Sequence, residues 1–384
     1  MVLLNLILIL LVLALTAATV LARKAGTART LVIGNTPLAR QIVAEMTAHH
    51  ATTCHVAGIV GEDGRGGLES PYDRLSVGRL DRLAEIIETV RPDRIVIALA
   101  DRRGRLPMRV LLNARLLGIK VEDGVGCYER LTGKVAIEAL TPDHLVSSHG
   151  FSNNCLDDAI RRTLSIAVST VALIVLAPLL AVIAVAIKLD SRGPVLFVQD
   201  RVGLHGRRFA LLKFRTMHPA WRTTSEWAGD NDARITRIGN WLRRSHLDEL
   251  PQLVNILRGD MSLVGPRPHP VCNFDLFLAN IPYYSLRAIV RPGLTGWAQV
   301  KQGYANGLDE EVEKMRYDLY YIKHMSAWLD LRILFDTIRT LFVDHGPTAP
   351  ARCTGAGQPA GVPAVATAGR SPALMRSIQS IGPR

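Results

Sequence analysis

The sequence predicts an α/β protein held at a membrane. It has an N-terminal membrane anchor, a doubly wound Rossmann-like domain, and a mainly helical C-terminal domain entered through a second membrane helix. Three observations carry this. Apolar residues run almost unbroken from Val2 to Ala22 and again from Leu164 to Leu189. Between those runs, short apolar strands alternate with segments of helical periodicity, the pattern of βα units on a mostly parallel sheet. After Asp190 the chain gathers loops in which arginine or lysine stands beside glycine or proline.

The first apolar run, residues 1–22, is followed by Arg23 and Lys24. Its length matches one bilayer crossing. A cleavable leader carries its charge in front and ends on small residues, so this run reads as a retained anchor. The positive-inside rule then puts Arg23 onward in the cytoplasm.

Residues 29–148 supply the α/β unit. Thr30-Leu31-Val32-Ile33 is a short strand, and Gly34 to Ala39 turns into a helix that continues through Met46. Val56 to Val60 is a second strand, Leu80 to Val90 a helix, Arg94 to Ala100 a third strand, Met108 to Leu117 a helix and Ile119-Lys120-Val121 a short strand. The turn after the first strand is a degraded dinucleotide fingerprint. It keeps Gly34 alone of the usual three glycines, with Gly61-Glu62-Asp63 as the nearby acid. That favours a ligand-free structural or regulatory domain over a bound nucleotide.

The second apolar run lies in residues 160–189, with Arg161 and Arg162 before it, Lys188 and Arg192 after it, and Pro178 near its middle. Proline removes a donor and bends a helix, and basic residues at both ends give no clear inside and outside. A kinked complete span and a helix that bends back to its own face both satisfy these facts. The tail, residues 346–384, is rich in Ala, Pro, Gly and Ser and reads as disordered.

Composition narrows the partners. The 384 residues carry a formal charge of +12 with 48% hydrophobic residues, and mean hydropathy is +0.17. A basic balance fits nucleic acid, anionic membrane or phosphorylated small molecules. Aromatics are 5% with no basic-aromatic stripe, so nucleic acid is set aside and membrane comes first. Cys54, Cys127, Cys155, Cys272 and Cys353 are irregularly spaced, suiting incidental thiols rather than a disulfide framework. His218, His246, His269 and His324 lack zinc spacing and read as incidental.

Residues 190–342 hold the chemistry. Its centre is Leu247-Asp248-Glu249-Leu250-Pro251-Gln252, an acid pair fenced by leucines, with Arg237, Arg243 and Arg244 upstream. Around it stand Gly193 to Gly203, Lys213-Phe214-Arg215-Thr216-Met217, Gly265-Pro266-Arg267-Pro268 and Arg291 to Val300. Glycine lets backbone amides approach an anion, proline fixes a loop, and arginine grips phosphate oxygens through a planar fork. Such blocks read as cradles for a di- or polyphosphate. Magnesium commonly takes one or two carboxylates plus substrate phosphates. A second carboxylate can attack phosphorus and form an acyl phosphate, and neighbouring arginines would favour its charged form. On a helix, neighbours point about 100° apart, and Pro251 could help Asp248 and Glu249 converge.

Together, Lys213 to Met217, Leu247 to Gln252, Val264 to Pro268 and Pro292 to Gln299 resemble the bacterial sugar transferases, the monotopic polyprenyl-phosphate phosphoglycosyl transferases. The resemblance spans Arg161 to Phe342. It implies transfer of a sugar phosphate from a UDP-sugar to undecaprenyl phosphate with release of UMP, using magnesium (Mg2+). Asp248 would be the nucleophile and Glu249 the metal ligand. Lys213, Arg215, Arg243 and Arg267 would contact phosphate, and Arg291, Thr295 and Gln299 would line the nucleotide or order a loop. The resemblance favours the re-entrant helix, with the catalytic domain on the cytoplasmic face of the bacterial inner membrane. Ala177 stands where family members carry the serine of a Ser-Pro break. Tyr128 to Val135 look like exopolysaccharide-initiating members, implying glucose or galactose as the sugar. A homo-oligomer and downstream glycosyltransferases are further partners compatible with that reading. Two other readings are a non-catalytic membrane scaffold working through the N-terminal unit, and a nucleotidyl enzyme with a soluble substrate.

Overall fold

The computed structural model of the chain describes residues 28–48, 54–61, 72–99, 106–140, 145, 150, 155–218, 234–302 and 307–343, the side chains of 341–343 excepted. The expected anchor at 1–22 and the expected disordered tail at 346–384 lie outside these residues. The chain divides into two compact units at Ser147/Ser148.

The first unit is a parallel sheet of β1 (Ala28–Ile33), β2 (Cys54–Gly61), β3 (Ser76–Arg79), β4 (Arg94–Ile97) and β5 (Lys120–Asp123), in the order β3-β2-β1-β4-β5. Its helices are α1 (Pro37–Ala48), α2 (Leu83–Val90), α3 (Met108–Leu116) and α4 (Gly124–Thr132). Side chains alternate across a strand, so β1 serves two cores. Val32 packs with Ile42, Val43 and Met46 of α1 and with Tyr128 of α4. Leu31 and Ile33 pack with Leu83 and Ile87 of α2 and Leu111 of α3.

The turn after β1 is closed by protein. Gly34 has φ +124°, and a Cβ there would stand 2.4 Å from the Ala98 carbonyl oxygen. The Thr36 hydroxyl donates to that same oxygen at 2.6 Å. This accounts for β4 ending at Ile97, short of the expected Ala100. β3 and α4 were not expected as elements. β3 reads Ser-Val-Gly-Arg, with little apolar signal. Glycine-rich α4 rests on its caps: Asp123 accepts from the Val125 and Gly126 amides, and Gly133 closes the helix at φ 68°.

The second unit opens with α5 (Cys155–Asp190), helical without interruption through Pro178. There follow the antiparallel hairpin β6 (Leu196–Val202) and β7 (Arg208–Phe214), then α6 (Arg237–Arg244), α7 (Gln252–Arg258), β8 (Ser262–Val264), α8 (Val271–Asn280), β9 (Gly293–Thr295), α9 (Trp297–Gln302), α10 (Leu308–Lys323) and α11 (Ala327–Val343). β8 and β9 pair in parallel. The core gathers Leu253 and Ile256 of α7, Leu263 and Val264 of β8, Trp297 of α9, Tyr321 and Ile322 of α10 and Ile333 of α11.

α5 meets this unit at both ends. Near its start, Arg161 donates to Asp330 at 2.7 Å and to the Tyr321 hydroxyl at 2.5 Å. Near its end, Ile183 and Ile187 pack on Phe214 and Leu242. Ile174, Val175, Val182 and Val185 remain exposed between.

Candidate active site

The acid pair sits in a single 3₁₀ turn, Leu247–Glu249, rather than on an α-helix. His246 enters it at φ 56°, a left-handed conformation unfavourable for a residue with a Cβ, and this turns the chain sharply. Pro251 then stands at the N-cap of α7, where a missing amide donor costs nothing. Proline therefore starts the next helix instead of distorting the one that holds the pair.

Buried Asn255 on α7 sets the pair against the hairpin. Its amide donates to the Ala210 carbonyl at 2.8 Å and its carbonyl accepts from the Leu212 amide at 3.0 Å. That registers the end of β7, and with it Lys213. Lys213 Nζ lies 2.7 Å from Glu249 Oε1. Arg267 Nη2 meets the same oxygen at 2.5 Å, and its Nη1 reaches Oε2 at 3.3 Å. Three of the residues expected to act together thus form one cluster: Lys213, Arg267 and Glu249, with Asp248 adjacent.

The two carboxylates behave oppositely. Burial alone would raise the Glu249 carboxyl, but the Arg267 and Lys213 charges outweigh it and hold the group well below the ordinary carboxylate range. Asp248 is buried and its carboxyl is raised. Burial is the main cause, Lys213 opposes it in part, and the Glu249 charge adds to it. Lys213 is lowered by burial and by Arg267, with Glu249 opposing. The cations expected to keep the nucleophile ionised therefore act chiefly on its neighbour.

Carboxylate oxygen is the hard donor magnesium prefers. Glu249 Oε2 accepts, among the described residues, only the longer Arg267 contact, which leaves it an acceptor direction. Among the described residues no group of three or more His, Cys, Asp or Glu side chains could hold a metal ion. The pair fits an ion that takes its remaining positions from water and substrate phosphates, as magnesium commonly does.

The other expected residues make different contacts. Arg215 is buried and donates to the Ser191 carbonyl and hydroxyl at 2.7 and 2.9 Å, capping the end of α5, while its Nε and Nη1 are unpartnered. Arg243 Nη1 is likewise buried without a partner, at the end of α6. Arg291 stands 3.9 Å from Asp158. The Thr337 hydroxyl donates to the Ile333 carbonyl, so Thr295 donates to Thr337 at 2.7 Å, fastening β9 to α11. Gln299 donates to the Leu294 carbonyl at 3.3 Å. Thr295 and Gln299 order a loop.

The motif glycines also differ from expectation. A Cβ on Gly293 would lie 2.1 Å from the Gly265 amide nitrogen, and one on Gly265 would lie 2.5 Å from the Arg291 carbonyl oxygen. The Gly265 amide donates to the Thr295 carbonyl and the Gly293 amide to the Pro266 carbonyl, both at 2.9 Å. These glycines let two loops meet backbone to backbone instead of wrapping an anion. Arg201, in the first of the expected cradles, donates to the Pro268 carbonyl at 3.0 Å and so supports the same loop.

Behind Arg267 lies a buried ionic cluster that the sequence did not disclose. Arg287 pairs with Glu311 at 3.0 Å and Asp318 at 2.9 Å, and donates to the Arg267 carbonyl at 3.0 Å. His269, read as incidental, is part of it. It meets the Tyr284 hydroxyl at 2.5 Å and is held well below its ordinary pKa, first by burial and then by the Arg287 charge. The signal available was Asp318, set among the aromatic and apolar residues Tyr317, Leu319, Tyr320 and Tyr321.

Residues 156–344 match the family described as bacterial sugar transferase. The chain is 44% identical over 239 residues to UDP-N-acetylgalactosamine-undecaprenyl-phosphate N-acetylgalactosaminephosphotransferase of Aeromonas hydrophila, covering 62% of this chain and 56% of that protein. It is 47% identical over 189 residues to UDP-glucose:undecaprenyl-phosphate glucose-1-phosphate transferase of Caulobacter vibrioides, covering 48% of this chain and 70% of that protein. It is 42% identical over 191 residues to exopolysaccharide production protein PSS of Rhizobium leguminosarum, covering 48% of this chain and 95% of that protein. The chain spans about half the length of the Aeromonas relative and less of several others.

Proposed function

Because the chain belongs to the bacterial sugar transferase family, we propose that it moves a sugar-1-phosphate from a UDP-sugar to undecaprenyl phosphate, releasing UMP. This would be the first membrane step of exopolysaccharide assembly. The observation that carries the proposal is the Asp248–Glu249 turn with Lys213 and Arg267 closed on it.

In the reaction, an Asp248 carboxylate oxygen attacks the phosphorus that bears the sugar. The bond from that phosphorus to the bridging oxygen breaks, and its electron pair leaves with UMP. An oxygen of undecaprenyl phosphate then attacks the same phosphorus, and the aspartyl–phosphorus bond breaks to restore the carboxylate. Asp248 must be ionised to attack, and its burial leaves it poorly solvated and so more reactive. Lys213 and Arg267, balanced here by Glu249, are positioned to neutralise diphosphate charge. Magnesium held by Glu249, beside Asp248, would supply further neutralisation of phosphate charge.

The site belongs at the cytoplasmic face of the bacterial inner membrane, with α5 as a re-entrant helix. Both ends of α5 dock on one compact unit, which supports that reading, since a spanning helix carries its ends to opposite sides. Because α5 runs uninterrupted through Pro178, the return requires a kink there rather than a break. The sugar is glucose or galactose. The glucose-specific name of the Caulobacter relative supports the former, while the Aeromonas name marks how far the choice can vary within the family.

The test is purified protein with undecaprenyl phosphate, magnesium and UDP-glucose, UDP-galactose and their N-acetyl counterparts, scored by UMP release. Release that depends on both lipid phosphate and Asp248 supports the proposal. Full release by Asp248→Ala, or none from any of these donors by folded protein, overturns it.

A further inference from the structure

α3 is apolar on two sides. Leu111 and Ala114 face inward and join the sheet core. Met108, Leu112 and Leu116 are 68, 58 and 78% exposed. Spaced by four residues, they form a stripe along one face of the helix. A helix apolar on two sides requires cover on both, and the core supplies only one.

The charge beside the stripe indicates what covers the other side. Arg109 and Arg115 are exposed at its two edges, and neither side chain has a carboxylate partner among the described residues. α3 contains no acidic residue. An apolar stripe edged by arginines matches an anionic lipid surface, with the stripe in the acyl boundary and the guanidinium groups at the phosphates. Only residues 141–154 separate the end of the first unit's described segment from α5, so a bilayer holding α5 is within reach of that unit.

We propose that the outer face of α3 is a docking surface for anionic phospholipid, through which the N-terminal unit lies on the membrane. This rests on the reading that α5 sits in that membrane, and on nothing about the catalytic step.

The experiment places a photo-reactive benzoylphenylalanine at Leu116 or, separately, at Val175 of α5. The full chain is reconstituted in phosphatidylcholine–phosphatidylglycerol vesicles or in phosphatidylcholine alone, and adducts are identified by mass. The expected result is lipid adducts at 116, reduced at least about fivefold by Arg109→Glu with Arg115→Glu or by omitting phosphatidylglycerol, with adducts at 175 unchanged. Lipid adducts at 175 with only peptide adducts at 116 overturn the docking surface and identify protein as the cover. Lipid adducts at 116 indifferent to charge overturn its anionic selectivity. Absence of lipid at both positions overturns the membrane reading of α5 together with the proposal.

Discussion

Lys213 and Glu249, 36 residues apart in sequence, meet at 2.7 Å, and Arg267 shares the same glutamate oxygen. One carboxylate therefore balances two cations. Glu249→Gln leaves both cations uncompensated. We expect UMP release to fall at least about a hundredfold, with a stability loss of about 1–3 kcal/mol. Because the Glu249 pKa is depressed in the fold, its stabilisation is complete above the unfolded value near 4.5 and is lost as pH falls toward the folded one. Melting curves of the two proteins should accordingly differ at pH 7 and converge in acid.

Asp248 has the opposite sign. Its pKa is raised in the fold, so its charge opposes folding at neutral pH; that opposition fades as pH falls through the folded value and is gone only below the unfolded value near 3.8. Asp248→Asn should melt higher than the parent at pH 7, by about 2–4 °C per kcal/mol gained, while releasing UMP at least about a thousandfold more slowly. The parent's activity should rise with pH through an ionisation above the ordinary aspartate value of 3.8. A lower melting temperature for Asp248→Asn at pH 7 would contradict the account of the buried carboxylate.

Asn255 is a positioning residue, since it touches β7 and not the reacting atoms. Asn255→Leu strands the Leu212 amide and Ala210 carbonyl, at a cost of about 1–3 kcal/mol for each buried group left unpaired. Beyond that loss, Lys213 should slip from Glu249. If Lys213 acts in the site as proposed, its lowered ionisation gives the pH–rate profile a basic limb, and that limb should move in this variant, whereas a purely structural role would lower activity at every pH alike.

The geometry of α5 is open to thiol labelling. Cys155, at its start, is free and exposed, and Lys188→Cys places a second thiol near its end. Both should react with a membrane-impermeant maleimide in inside-out vesicles and resist it in right-side-out ones. Reaction of one from each side would mean that the helix crosses.

Gly293→Ala drives a methyl group into the Gly265 amide, 2.1 Å away. We expect a loss of more than about 4 kcal/mol, the range reserved for overpacking and strain. Thermal unfolding in detergent should show it, along with loss of UMP release because Arg267 rides on the displaced loop.

What the sequence disclosed and what it hid differ by the reach of the cause. The strands β1, β2 and β4 were legible because β-branched runs report their own burial, and Asp248 and Glu249 because two acids between leucines require a local reason. Lys213 and Arg267 were legible as cations, but their joint hold on Glu249 was not, since nothing local encodes which carboxylate a loop will meet. Arg287, Glu311 and Asp318 were hidden for the same reason. The glycines misled because their need is set by another backbone. Gly265 and Gly293 exist for each other, and residue type alone cannot tell a neighbouring chain from a phosphate.

The anchor of α5 also imposes an order on synthesis. Arg161 leaves the ribosome 160 residues before Tyr321 and 169 before Asp330, the two side chains that receive it. At about 5–20 residues per second, the helix waits roughly 8–34 s for those partners. Over that interval its apolar length has to be sheltered by something other than its own fold. Delivery to lipid during translation would provide that shelter, so α11, the last helix among the described residues, would close on a unit whose first helix is already in place.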